Sequence, residues 1–171
     1  MASIESWMMS GVNRQSLVHS VRTAVAATVS FAVARLVGMP EAYWAAVTTL
    51  IVMQSTLGAA LTVSWKRLVG TALGALVSVL VAIYLPPGAL VFGAMVLVLG
   101  LVCAVLHLDR TAYRFSSITL AIITLVARTK PAWIVATHRF IEVSLGIVVG
   151  LAITAVWPEG RAAPSASASS R

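Results

Sequence analysis

Residues 68–108 read LVGTALGALVSVLVAIYLPPGALVFGAMVLVLGLVCAVLHL, a stretch without a single Asp, Glu, Lys or Arg. Its only strong punctuation is Pro86-Pro87-Gly88, which divides it into two apolar runs, Leu68–Leu85 and Ala89–Leu108. A helix that crosses a bilayer needs about 20 apolar residues. Each run has roughly that length, and a Pro-Pro-Gly triplet stops one helix and starts another. The pair reads as a transmembrane hairpin. Composition agrees: of 171 residues, 60% are apolar and 10% charged, where an ordinary soluble domain has about half and a quarter. Too few polar side chains remain to cover a surface facing water. The same arithmetic excludes disorder for the bulk of the chain, and a disulfide scaffold is excluded because Cys103 is the only cysteine.

The same criterion applied outward finds four more spans: Val21–Gly38, Ala42–Leu61 with Lys66 and Arg67 closing it, Thr111–Ala127, and a last one from Trp133 or Arg139 to Trp157. The expected fold class is therefore an all-α membrane protein with six transmembrane helices over residues 21–157. Within residues 1–20, Ile4, Trp7, Met8 and Val12 recur at helical spacing, which suits an interfacial segment in the headgroup layer. The stretch 158–171, with its run APSASASS, is too small and polar to pack and is expected to be a disordered tail.

A net charge of +7 raises the question of nucleic acid. The cations are dispersed at the edges of apolar runs, with no basic stripe, so nucleic-acid binding is not expected. They read instead as topology signals, because Lys and Arg resist translocation. With a cytoplasmic N-terminus, Arg14, Arg22, Lys66, Arg67, Arg110, Arg114, Arg161 and Arg171 lie inside, and Arg35, Arg128, Lys130 and Arg139 lie outside. The imbalance favours a multi-pass protein with both termini cytoplasmic.

An internal repeat is visible. At an offset of 72 residues Arg67 falls on Arg139, Leu73 on Leu145, Gly74 on Gly146, Pro86 on Pro158 and Gly88 on Gly160. At an offset of 71, Trp44-Ala45-Ala46-Val47-Thr48 falls on Phe115-Ser116-Ser117-Ile118-Thr119. Three helices per half is an odd number, so the halves would be inverted repeats, as in transporters. The alternative is chance alignment of apolar helices. Gly70 and Gly74 form one GxxxG, Gly146 and Gly150 another; each pair lies on one helical face and lets backbones approach, which points to helix packing.

Charged and polar groups in lipid need a partner or a task. Glu142 is the only acid inside an expected span, with His138 and Arg139 one turn before it. It could exchange a proton, with His138 beside it, or simply pair with Arg139 to fix the helix start. Arg35 could attract an anion or reach back to the interface. Thr48 lies on a polar face with Trp44, and Gln54 lies beside it; Ser116, Ser117, Thr119 and Thr124 give the fifth span a comparable side. The faces suggest a lined cavity or, equally, interhelical hydrogen bonds. Catalytic motifs are missing: there is no nucleophile elbow, phosphate loop or HExxH, and His19, His107 and His138 are too far apart for a metal site. Neither an enzyme nor a cofactor or metal is expected.

Residues 41–78, EAYWAAVTTLIVMQSTLGAALTVSWKRLVGTALGALVS, resemble the signature of the fusaric acid resistance or FUSC-like family, related to aromatic acid exporters. The motif positions are Tyr43, Trp44, Gln54, Gly58, Arg67, Gly70, Thr71 and Gly74. RFIEVSLGIVVG, residues 139–150, is similar to the family's closing helix with its Arg and Glu. The resemblance covers about residues 21–157. It implies export of small organic anions, such as aromatic carboxylates, across the bacterial inner membrane by alternating access. Arg35 and Arg67 would attract the carboxylate, Tyr43 and Trp44 would offer an aromatic wall, and Thr48, Gln54 and Thr71 would line the path. Larger members carry a soluble domain or a second helix set, so a homo-oligomer, preferably a dimer, would rebuild that half here. The competing class is a membrane scaffold or assembly subunit that transports nothing.

Overall fold

The computed structural model describes residues 14–54, 56–86, 88–125 and 130–157. It is helical throughout, with no strand among the described residues: α1 Arg14–Leu36, α2 Tyr43–Val52, α3 Leu57–Tyr84, α4 Ala89–Val105, α5 Arg110–Leu125 and α6 Ala132–Val156. Three helices are long and apolar enough to cross a membrane, Ser16–Leu36 within α1, then α3 and α6, while α2 and α4 are apolar but shorter. Residues 14–20, expected in the interfacial segment, form the first turns of α1. Residues 1–13, Ser55 and the expected tail 158–171 lie outside the described residues.

The largest departure from expectation concerns the second span. Ala42–Leu61 is not one helix. α2 stops at Val52, Met53 turns extended, and Thr56 is extended as well, its side chain accepting the backbone N–H of Ala59 at 3.3 Å. A hydroxyl in that position satisfies one of the N–H groups that a helix start leaves open, so a new helix begins at Leu57. The polar triplet Gln54-Ser55-Thr56 marks this break, but a window of span length averages it with the apolar residues on both sides. Lys66 and Arg67 consequently do not close a span; they lie well inside α3.

At the end of α1, Gly38 takes the left-handed conformation, φ +78°, with Gly38 N–H donating to the Arg35 carbonyl and Met39 N–H to that of Ala34. The paired bonds are those of a Schellman stop, which glycine permits without strain. The turn delivers the chain directly into α2.

Packing follows the glycines. A Cβ on Gly70 would meet the Ala112 carbonyl oxygen at 2.5 Å and Phe115 Cβ at 2.8 Å; one on Gly74 would collide with the Ser116 carbonyl oxygen. A Cβ on Gly146 would collide with the Ala45 carbonyl oxygen, and Gly150 faces Val52 and Thr49. Contacts advance in the same direction on both partners, so α3 and α5 run parallel, and so do α2 and α6. By contrast α3 and α6 are antiparallel: Ala75 clusters with Ala136, and Ala60 with Val143 and Ile147. Thr49 locks the second parallel pair by donating its hydroxyl to the carbonyls of Ala45 and Gly146, both at 3.0 Å.

These contacts predict a graded response to one added methyl group. Gly74→Ala and Gly146→Ala must push backbone away and should each destabilise the protein by about 1–3 kcal/mol. Gly93, in the interior of α4 with nothing within 4 Å of its Cβ position, should accept alanine with a gain of up to about 1 kcal/mol. Thermal unfolding of the detergent-solubilised protein measures both; equal midpoints for all three variants would contradict this packing.

Candidate functional site

The short helix α2 and the turn before it meet α3, α5 and α6 at a cluster of buried charges. Arg139, on α6, is only 4% exposed and lies over the Trp44 ring, its guanidinium carbon 3.5 Å from the centroid. One turn along α6, Glu142 is fully buried. Its Oε1 accepts the backbone N–H of Glu41 at 3.1 Å, and its Oε2 stands 3.8 Å from Arg139 Nη1, too far for a hydrogen bond. Both of those facing atoms lack any hydrogen-bond partner. Glu41 in turn accepts the Trp44 indole N–H at 3.0 Å.

Arg67, on α3, is 5% exposed. Its Nε and Nη2 both donate to Thr48 Oγ1, at 3.2 and 3.0 Å, and its guanidinium carbon stands 4.8 Å over the Phe115 ring. The contact of cation on ring is thus made twice, Arg67 on Phe115 and Arg139 on Trp44, by the pairs that the two sequence offsets bring into register. Ring faces attract cations, by about 2 kcal/mol when desolvated. They do not neutralise them.

Of the residues expected to act together, Trp44, Thr48, Arg67 and Glu142 do meet here, and Thr71 is buried one turn beyond Arg67. Tyr43 is half-exposed beside Trp44, ring centroids 5.4 Å apart. Others stand apart. Arg35 is exposed at the end of α1, and His138 is half-buried on α6. Gln54 donates its amide to the Ile51 carbonyl beyond the end of α2. One face of Trp44, expected to be an aromatic wall, is covered by Arg139. The hydroxyls of Ser116, Thr119 and Thr124 donate back to their own helix at Tyr113, Phe115 and Leu120, while the buried Ser117 hydroxyl has no hydrogen-bond partner. Gly70, Gly74, Gly146 and Gly150 pack helices, as described above. An open cleft of about 420 Å³ between the end of α3 and the start of α6 is lined by Val79, Ile83, Lys130 and Trp133 and does not include the arginines.

The chain matches the fusaric acid resistance protein-like family over residues 25–153. It belongs to that family. No curated protein and no solved structure gives a match. The FUSC-like assignment is one of membrane transport and efflux in general, and the long apolar helices agree with a membrane protein.

Sequence reasoning treated Arg22 only as a topology signal. In this FUSC-like chain it is fully buried on α1, donating Nη2 to the Gln54 carbonyl at 2.6 Å and Nη1 to the Trp157 carbonyl at 2.9 Å. These are carbonyls that α2 and α6 leave open at their C-terminal ends, where a cation is favoured. Its position, a cation at the start of an expected span, was the available signal. Glu41 and Phe115 were also missed as site residues, although the offset of 71 already aligned Phe115 with Trp44. Arg67 and Arg139, counted as loop cations, are buried; without them and Arg22 the charge imbalance keeps its sign.

Arg22→Gln removes the charged donor from two carbonyls. A charge-assisted hydrogen bond contributes about 1.5–3 kcal/mol, so the variant should lose about 3 kcal/mol and be cut faster by protease between Met53 and Leu57. A melting point and cleavage rate equal to those of the native protein would refute the clamp.

Proposed function

We propose that the protein exports small organic anions, aromatic carboxylates among them, across the bacterial inner membrane by alternating access. The observation that carries this reading is Arg67. It is a buried guanidinium whose described partners are a hydroxyl and a ring face, and the charge acting on it most directly is that of a second cation, Arg139. Burying an ion without a counter-charge costs several kcal/mol. A site built this way suits an anion that comes and goes. A carboxylate is the natural fit, because the guanidinium fork matches its two oxygens.

In this scheme Arg67 is the principal binding cation, with Thr48 and Thr71 beside it and Tyr43 the aromatic surface left open. Arg35 would collect anions at the outer end of α1, and Gln54 lies at the inner end of the path. Glu142, with His138 nearby, is the candidate for proton coupling. Six helices that alternate in direction, α2 and α6 against α3 and α5, are compatible with both termini on the cytoplasmic side, with the short α2 and α4 counted as crossings. Two inverted three-helix repeats are supported by matched contacts: Gly74 meets Ser116 and Thr119, while Gly146 meets Ala45 and Thr48, each pair displaced by the offsets in the sequence. A homodimer would supply the second helix set found in larger family members.

The competing reading is a membrane scaffold that transports nothing. The compact helix packing and a cleft that bypasses the arginines favour it. Efflux of radiolabelled benzoate from proteoliposomes separates the two. Loss of one charged contact of 1.5–3 kcal/mol should slow efflux about ten- to a hundredfold in Arg67→Ala. Native flux no greater than that of empty vesicles would discard the exporter and leave the scaffold.

A further inference from the structure

We propose that Glu142 is a resident carboxylate holding the seat that the transported anion takes, so that each anion bound requires one proton on Glu142. This inference rests on the anion-carrier reading above. Three observations lead to it.

The first concerns the start of α2. Its first turn contains no acidic residue, and Ala42, at the cap position, has no side chain able to accept a hydrogen bond. A helix start carries partial positive charge and attracts an anion. Here the anion is supplied from another helix: Glu142 of α6 accepts the Glu41 N–H at the head of α2. The second is the loose contact with Arg139. Nη1 and Oε2 face each other at 3.8 Å, both at least nine-tenths buried and both without a hydrogen-bond partner. A permanent structural ion pair would close that gap with one or two short bonds. The third is composition of the cluster: of its two buried guanidinia, Arg139 has the fully buried Glu142 at 3.8 Å, while Arg67 has no carboxylate among its described partners.

An incoming carboxylate that bonds Arg139 Nη1 must lie against Glu142 Oε2, which stands 3.8 Å from that nitrogen, and the two then compete for the same guanidinium and helix-start donors. Two carboxylates cannot share them while both are ionised, because like charges at hydrogen-bond distance force one to hold a proton. The exchange balances simply. A proton from water on the loading side forms an O–H bond on Glu142; the carboxyl then becomes a donor rather than an acceptor and turns its O–H to the ligand. The ligand carboxylate accepts from Arg67, from Arg139 and from that O–H. No other bond changes. The charged and titratable groups around Glu142 are Glu41 and Tyr43 on the α1–α2 hairpin, Arg67 on α3, exposed Arg35 on α1, and Arg139 and His138 on its own helix. The arginines stay charged throughout. The proton therefore travels with the anion, each passage is electroneutral for a monocarboxylate, and export runs down the outward gradient of the acid itself rather than on the inward proton gradient.

The test is calorimetric titration of the full chain in detergent with benzoate at about pH 8, in two buffers of different ionisation heat, where free carboxylic acids are ionised. The native protein should take up about one proton per benzoate, and its apparent Kd should rise about tenfold per pH unit above the titration of Glu142. Glu142→Gln should bind benzoate with no proton uptake and with that pH dependence gone. Benzoate binding by the native protein without proton uptake overturns this inference and leaves the carrier reading intact. It needs no variant, so a misfolded Glu142→Gln cannot obscure it. Uptake that persists in Glu142→Gln also overturns it, by sending the proton to Glu41 or His138. No benzoate binding by either protein overturns the carrier reading and this inference together.

Discussion

Three guanidinium groups sit inside a bundle whose surroundings are apolar, and a low-dielectric interior tolerates them only if each finds oxygen or a ring face. The three solutions differ. Arg22 spends its donors on main-chain carbonyls left open where α2 and α6 end, so it behaves as part of the backbone. Arg139 has a ring beneath it and a carboxylate just out of bonding range. Arg67 has a ring and a single hydroxyl. Along this series the oxygen available to the charge falls away, from two carbonyls to a carboxylate out of bonding range to one hydroxyl. In the proposed function Arg22 holds the fold and Arg67, with neither carbonyl nor carboxylate among its described partners, marks the site.

The placement of the cluster follows from the glycines. Because Gly146 and Gly74 bring backbones into contact, α2 lies directly on α6 and α5 directly on α3. Glu142 is ten residues along α6 from Ala132, about 15 Å at 1.5 Å per residue, and the α1–α2 turn touches it there. That turn is therefore recessed well below the start of α6. Gly70 lies thirteen residues along α3 from Leu57, about 20 Å in, and meets Ala112 near the start of α5. The α4–α5 turn is recessed by a similar depth from the opposite end, since α3 and α6 are antiparallel. Lys66 pairs with Asp109 at this second turn, and Glu41 bonds to Glu142 at the first. Each turn thus lies at the level of one buried arginine, the first beside Arg139 and the second beside Arg67.

Much of this was legible in the sequence, and the failures share a cause. Apolar runs, the Pro-Pro-Gly stop and the Gly38 turn define elements through their own chemistry, and those elements formed. The misread parts were those decided by distant partners. Thr56 starts a helix through one hydroxyl, in the polar triplet Gln54-Ser55-Thr56 that a span-length average of hydropathy hides. Arg22, Arg67 and Arg139 looked like interface cations because a charge in an apolar run usually ends it; only carbonyls and rings contributed by other helices make burial possible. The offsets of 71 and 72 contained more than the alignment suggested, since the residues they pair, Arg67 with Arg139 and Trp44 with Phe115, recur as the same cation-on-ring contact.

A carrier must move its binding site between two aqueous sides in both the loaded and the empty state, and the barrier to each passage rises with the charge left uncompensated in the bundle. With Glu142 ionised and no ligand, the buried cluster holds two guanidinia and one resident anion. With Glu142 protonated and a monocarboxylate seated, it holds two guanidinia and one borrowed anion. The charge is the same, so the desolvation cost is about the same, and neither state is trapped. Binding an anion without a proton would add a negative charge beside an ionised Glu142; protonation without an anion would leave both guanidinia with no buried counter-charge. Both half-loaded states carry an extra penalty in the step that matters, which is a physical reason for the two particles to cross together rather than either one alone.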